Sequence, residues 1–322
     1  MKVIKELILK VFIFILLVFI ILNIFYLFIT LISPNNSSET SEDFSLLNQL
    51  INYWCDILTF KFGSIKNEIL NNEYKNVPNL FFYYFSWTSI IVFVSFILGL
   101  FLGYFIGVYM AYNNSKFHEI VTQIILFIIS SIPIFIIIPF IINFIESIDA
   151  PTIFIEPSLI NSTITLTSLI TPIIVLTVLT TSVIALPTKT VVLDLIYKDF
   201  ITNARTCGLS KTKIFLSYIF KNSFINLVDF IVPSLTVNIA FSLIIERLFQ
   251  IPGQSLILLN GFRMSEIDLI MFLIFFTTLI IFSLQFILDL LIQFLNPFSK
   301  SLKSFKIIKK NFFINKIGGN YE

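Results

Sequence analysis

Residues that could carry chemistry are few in this 322-residue chain, and they stand far apart. There is one histidine, His118, and two cysteines, Cys55 and Cys207. One histidine and two distant cysteines do not supply the several ligands that a nitrogen/sulfur metal site needs in one place, and no nucleophile motif of a Ser/His/Asp set accompanies the histidine. No catalytic residue and no metal ligand is therefore expected. The sequence has no G-x-x-x-x-G-K-[ST] loop to cradle phosphates, no H-E-x-x-H and no G-x-S-x-G. Two carboxylates, Asp229 and Asp289, fall inside apolar stretches, where an ionisable group is costly and marks function by default. Asp229 is a candidate for the path of a transported solute. Both lie close enough to the ends of their stretches for hydration to make an interfacial or structural role the alternative. No row of acids or histidines crosses the middle of the spans, as a proton- or sodium-driven carrier would need.

The densest polar set is the segment Asp199–Asn222, an island between apolar stretches. Pro187 is expected to end the stretch before it. Val191, Val192, Leu195 and Ile196 then recur at helical spacing on an amphipathic helix continuing towards Thr206. Gly208 suits a helix C-terminus in left-handed conformation, and Ser210 suits the N-cap of a second helix. That helix has Ile214, Phe215, Tyr218 and Ile219 on one side and Lys213, Ser217 and Lys221 on the other. Two short helices bent at Gly208–Ser210 result. On the residues alone they are either an ordinary surface loop or a rigid docking knuckle.

The elements that position this island are membrane spans. Hydrophobic residues make up 57% of the chain and charged residues 12%, far from soluble composition. Six stretches have the roughly 20 apolar residues that cross the hydrocarbon core: 11–32, 81–112, 120–144, 163–186, 224–245 and 269–295. Their continuous hydrophobicity predicts helices and an all-α membrane protein. Of the 21 Lys and Arg residues, 16 lie in the N-terminus, the 113–119 loop, the 187–222 insert and the tail. The positive-inside rule therefore places both termini and the insert in the cytoplasm of a multi-pass protein of the cell membrane. The chain divides into a cytoplasmic N-terminus (1–10), a first span (11–32) retained as an anchor, an extracytoplasmic loop (33–80), a core (81–297) and a basic tail (298–322). The tail reads as a flank held at anionic lipid. Cys55 and Cys207 fall on opposite sides and should not pair.

Gly99, Gly103 and Gly107 form a ladder on one face of the second span, in a chain with only 9 glycines. Bare positions four apart let another helix approach closely, so the favoured reading is packing, with lining of the path as the alternative. Pro133, Pro139, Pro172 and Pro233 would each kink a span.

The island resembles the "EAA" loop of permease subunits of bacterial ABC importers, above all the oligopeptide/dipeptide/nickel permease family, whose version runs close to D-Y-x-x-x-A-R-x-x-G-L-S…N. Here Asp199-Phe200, Ala204-Arg205, Gly208-Leu209-Ser210 and Asn222 stand at matching spacing. Glu246, Phe249, Pro252 and Gly253 are similar to that family's E-x-x-F-x-x-P-G. Weaker likenesses are Tyr53-Trp54, Phe62-Gly63-Ser64, Ser131-Ile132-Pro133 and Asn296-Pro297. The chain departs at Thr202 and Asn203, where the general triplet has Glu-Ala, at Lys221, where many importers have Pro, and at Gln254-Ser255 after the Pro-Gly.

The resemblance implies a type I ABC importer permease with six transmembrane helices and a cytoplasmic coupling helix. The chain would be a transport subunit and not an enzyme, the first of two paired permeases, carrying peptides with nickel or another small solute as alternatives. Its partners would be a second homologous permease subunit, two cytoplasmic ATPase subunits, an extracytoplasmic substrate-binding protein and membrane lipid, with no nucleic acid. ATP and Mg would sit on the ATPases, and no cofactor on this chain. The implied coupling residues are Asp199, Ala204, Arg205, Gly208, Leu209, Ser210, Lys211, Phe215, Tyr218 and Asn222. Ala204 and Gly208 would let a partner backbone approach, and Phe215 and Tyr218 would fill an apolar notch. A self-sufficient secondary carrier and a scaffolding membrane protein remain as rival classes.

Overall fold

The computed structural model describes residues 2–32, 46–157 and 162–295. The basic tail, Pro34–Ser38 and Asn296-Pro297 lie outside the described residues. Among the described residues the structure is helical throughout, with no strand. Among these residues five helices or continuous helical runs are long and apolar enough to cross a membrane, or six where a further pair of helices, bent at a short break, is counted as one span.

Helix α1 (Lys2–Ile32) lies at the periphery and packs antiparallel to α12 (Ile267–Leu295). Three contacts fix the register: Lys10 Nζ donates to Asp289 Oδ2 at 2.8 Å, Phe14 meets Phe282 edge-on at 5.9 Å, and Leu22 and Tyr26 pack with Ile270 and Met271. The expected outer loop 33–80 contains two helices, α2 (Leu46–Leu58) and α3 (Glu68–Tyr74), and the start of the next span. The apolar side of α2 (Leu50, Tyr53, Trp54 and Ile57) rests on α1 and α12, which is what gives this polar stretch a fold.

The central pair is α4 (Val77–Tyr112) and α7 (Ser162–Ile196). At 36 and 35 residues they run to about 54 Å, well beyond the roughly 30 Å hydrocarbon core. Their close contact follows from sequence. Gly99, Gly103 and Gly107 of α4 face Thr180, Ile184 and Thr188 of α7, two rows of residues four apart on each helix. Asn76 caps α4 through its side chain, with a proline in the first turn.

The expected third span is not one helix. Helix α5 (Phe117–Ser131) and helix α6 (Ile134–Glu146) meet at a bend of 102°. Pro133 forces this: it has no N–H to continue the ladder, and it drives Ile132 into extended conformation (φ −81°, ψ 127°). Pro187 behaves otherwise. It was expected to end the fourth stretch, yet α7 continues through it to Ile196. A proline inside a membrane helix is tolerated where neighbouring helices hold the chain, and here Ala185, Thr188 and Val192 are all buried. The expected helix from Val191 to Thr206 is instead divided at Tyr197-Lys198, and α8 (Asp199–Thr206) starts afresh.

After α8, α9 (Lys211–Ile214), a π-helical turn (Phe215–Phe220) and α10 (Lys221–Leu248) run on as one rod. The helical run that contains the expected fifth span thus begins at Lys211, before Phe224. The π turn has a visible cause: Ile214 and Ile219, five residues apart, are both buried in the same cluster, a spacing that a widened turn brings onto one face. Helix α11 (Gln254–Arg263) folds back over the end of the bundle before α12.

Candidate functional site

The two motif-bearing groups sit at opposite ends of α4. Ala111 packs in the cluster that carries the polar island, and Thr88 bonds to Glu246. The 23 residues between them span about 35 Å of helix.

At the C-terminal end of α4 the island forms a bent pair of short helices. Gly208 has φ +74°, a left-handed turn that an L side chain adopts at a cost. Its N–H donates to Arg205 O at 3.0 Å, and Leu209 N–H closes back on Ala204 O at 3.3 Å. Ser210 then caps the next helix, its Oγ accepting from Lys213 N–H. Asp199 in the first turn of α8 and Arg205 in the last both complement that helix's dipole. Asn222 Nδ2 donates to Tyr218 O at 2.6 Å, tightening the π turn.

Burial divides the expected coupling residues into two sets. Ala204, Leu209, Phe215 and Tyr218 turn inward, onto a cluster built from Ala111, Val192, Ile196, Ile201, Ile214 and Ile219. Ala204 is 7% exposed, so its smallness admits the chain's own helices. Phe215 likewise meets Tyr112 and Phe220. The outward rim consists of Asp199, Phe200, Arg205, Gly208, Ser210 and Lys211. No atom lies within 4 Å of where a Gly208 side chain would begin. The arrangement is a convex knuckle with a polar, basic rim and an apolar underside bolted to α4 and α7.

At the other end, Glu246 is fully buried and ties three helices. Its Oε1 accepts from Thr88 Oγ1 of α4 at 2.6 Å, and its Oε2 accepts from Ser255 N–H in the first turn of α11 at 2.8 Å. Thr88 Oγ1 in turn accepts from Gln254 N–H at 2.8 Å. Gly253 lies flat against the carboxylate, and Phe249 is buried with its carbonyl accepting from Phe154 N–H. Pro252 is half-buried in the same turn. A polar seam continues inward: Gln254 Nε2 donates to Ser242 Oγ, and Asn238 Nδ2 donates to Ser95 Oγ. Nearby, Glu266 accepts from the Lys66 and Asn67 N–H groups and Asp268 from Ser64 N–H, clipping loop residues 64–67 to the start of α12. Tyr53, outside the spans, has its phenol pushed up by burial and then by the Asp268 charge, so it stays neutral.

The remaining candidates separate cleanly. Asp229 is exposed on α10. Asp289 is held by Lys10 and, at 3.0 Å, by Gln285, which is structural work. Among the described residues no group of three or more His, Cys, Asp or Glu side chains could hold a metal. Sequence reasoning missed Thr88, Glu266 and the buried pair Lys189–Glu119. Thr88 and Glu266 carry no local signal, because their partners are distant backbone amides or a carboxylate far away in the chain.

The chain matches the family described as "Binding-protein-dependent transport system inner membrane component" over residues 103–301, more than half its length. It is 36% identical over 85 residues to the oligopeptide transport system permease protein OppB of Mycoplasma pneumoniae, covering 26% of this chain and 22% of that protein. To OppB of Mycoplasma genitalium it is 23% identical over 230 residues, 71% of this chain and 54% of the relative. To the dipeptide transport system permease protein DppB of Bacillus subtilis it is 24% identical over 110 residues, 34% and 36% of the two chains. The chain thus spans about half or less of the length of these curated relatives. A chain of the MetNI methionine ABC transporter, solved in inward facing conformations, shares the fold with a TM-score of 0.50 at 19% identity, covering 65% of this chain and 92% of that one. The knuckle, the long paired helices and the family match converge: this multi-pass membrane protein belongs to the family of binding-protein-dependent transport system inner membrane components.

Proposed function

We propose that this chain is the membrane-spanning permease subunit of an ATP-driven peptide importer, forming half of the translocation path. It lies in the cell membrane with both termini and the knuckle in the cytoplasm, a reading supported by the distribution of lysines and arginines. The other half of the path is a second homologous permease, solute arrives on an extracytoplasmic binding protein, and two ATPase subunits, carrying ATP and Mg, dock on the knuckles. The chain itself binds no cofactor and catalyses no reaction. The peptide assignment is supported by the names of the relatives, and it leaves nickel or another small solute as the competing cargo.

The observation that carries the reading is the knuckle: an exposed rim on a rigid, buried foundation, joined directly to two spans. ATP binding closes the ATPases and draws the knuckles together. Because the underside is packed on α4 and α7, that displacement reaches the spans as a shift between inward- and outward-facing populations, sized by the differential affinity for the closed state.

Gly208→Asp tests this. Aspartate tolerates left-handed backbone better than most residues, the site is sterically open, and the strain is about 1–2 kcal/mol. The variant should insert in normal amount, while ATPase co-purification and uptake of labelled tripeptide both collapse. Native co-purification and uptake in that variant would sink the docking role.

A further inference from the structure

Lys189 of α7 and Glu119 of α5 form an ion pair that no motif marks. Lys189 Nζ donates to Glu119 Oε1 and, at 3.0 Å, to Gln123 Oε1. The side chains are 17% and 4% exposed, so the carboxylate is buried and the ammonium largely covered. A buried pair adds little stability over an apolar contact, but removing one partner strands the other's charge. A pair of this kind fixes geometry more than it adds stability.

Its surroundings say which geometry. One turn further along α7, Val192 and Ile196 enter the cluster beneath the knuckle. One turn before, Ala185 packs with Met110 of α4 and Leu126 of α5. The last three turns of α7 therefore hold the knuckle and also hold α5. Helix α6 is anchored nearer the other end of α7 and at the far end of α10, with Ile134 and Ile138 packed in one cluster with Leu169, Leu176, Ile245 and Phe249. Between the two arms lies the 102° bend at Ile132-Pro133.

We propose that Lys189, Glu119 and Gln123 are a strut that makes α5 move as one body with the base of α7 and the knuckle. The bend at Ile132-Pro133 is then the joint at which that motion passes to α6 and the far end of the bundle. Lys189 and Glu119 are positioning residues, touching neither solute nor nucleotide. The inference rests on the docking role proposed above.

The test uses the complete importer in membranes. Glu119→Lys and Lys189→Glu should each insert and co-purify with the ATPase as the native chain does, yet lower uptake of labelled tripeptide by about tenfold. Exchanging both charges in one chain should restore most of it. Native uptake in the single reversals, or an exchange no better than either single, overturns the strut while leaving co-purification intact. Loss of co-purification in the native chain overturns the docking reading, and the strut with it. If the reversals fail to insert, a bridging experiment decides. In a Cys55→Ser/Cys207→Ser background, which removes both free thiols, Glu119→Cys and Lys189→Cys are joined by a short bifunctional thiol reagent. Uptake, lowered in the unbridged chain that lacks the ion pair, should recover on bridging, because the two helices are proposed to move together. Loss of uptake on bridging would show that they must separate.

Discussion

Gly107→Ala should lower the thermal stability of the inserted protein by about 1–3 kcal/mol, the usual cost of forcing a methyl into a packed interface. A Cβ there would lie 2.5 Å from Thr188 Cβ and 2.6 Å from the carbonyl oxygen of Ala185. Gly99 has a similar clash with a different composition: Thr180 Cβ at 2.5 Å and Cγ2 at 2.7 Å, with the nearest backbone atom, Thr177 O, at 3.2 Å. The difference predicts opposite outcomes in double-mutant cycles. In a Thr180→Gly background, Gly99→Ala should cost little, because the obstruction was a side chain. In a Thr188→Gly background, Gly107→Ala should still be costly, because the Ala185 carbonyl cannot be removed. Melting monitored by size-exclusion chromatography of detergent-solubilised protein reads both. Equal coupling in the two cycles would mean that the helices yield and the interface is not set by backbone approach. On the docking role proposed above, an interface that slips should also lower uptake, because α4 and α7 carry the knuckle's foundation.

How legible this was in the sequence depends on how local the cause is. The spans follow from runs of apolar residues, and the bend at Gly208 with its cap at Ser210 follows from residues that act on their immediate neighbours. The break at Pro133 had a visible agent, but proline alone does not say whether a helix bends or carries on. Pro187 and Pro133 look alike in sequence and differ in what packs around them. The grouping of Ile214 and Ile219 on one side was legible, but the π turn that achieves it is tertiary, since an ordinary α-helix sets residues five apart about 140° from each other. The inward turn of Ala204, Phe215 and Tyr218 could not be read from spacing, because an amphipathic face looks the same whether it meets its own chain or a partner. Charge pairs such as Lys189–Glu119, 70 residues apart, leave no trace in a single sequence.

Glu246→Ala should be among the most damaging single substitutions, and its damage should have a particular partner. The carboxylate answers two buried donors, the Thr88 hydroxyl and the Ser255 N–H; leaving a buried donor unmet costs about 1–3 kcal/mol. It also sets an acceptor oxygen at the first turn of α11, where the N–H groups of a helix N-terminus lack partners within the helix. Gly253 presses on the same group: the three atoms nearest to a Cβ built there are Glu246 Cδ, Oε2 and Oε1, at 2.4, 2.6 and 2.7 Å. Its φ of −119° suits any residue, so space alone demands glycine. Gly253→Ala should therefore be costly in the native chain and nearly free in Glu246→Ala, where the obstruction is gone. In Glu246→Gln the crowding persists, and so should the cost of Gly253→Ala. One Gln orientation still satisfies Ser255 through Oε1 while presenting Nε2 to Thr88 Oγ1, so Glu246→Gln alone should fall between native and alanine. Strict additivity of Gly253→Ala and Glu246→Ala in thermal melts would contradict this account. Coupling confined to these two positions would identify the contact as a rigid tie between α4, α10 and α11, the fixed end against which a moving knuckle some 35 Å of helix away can do work.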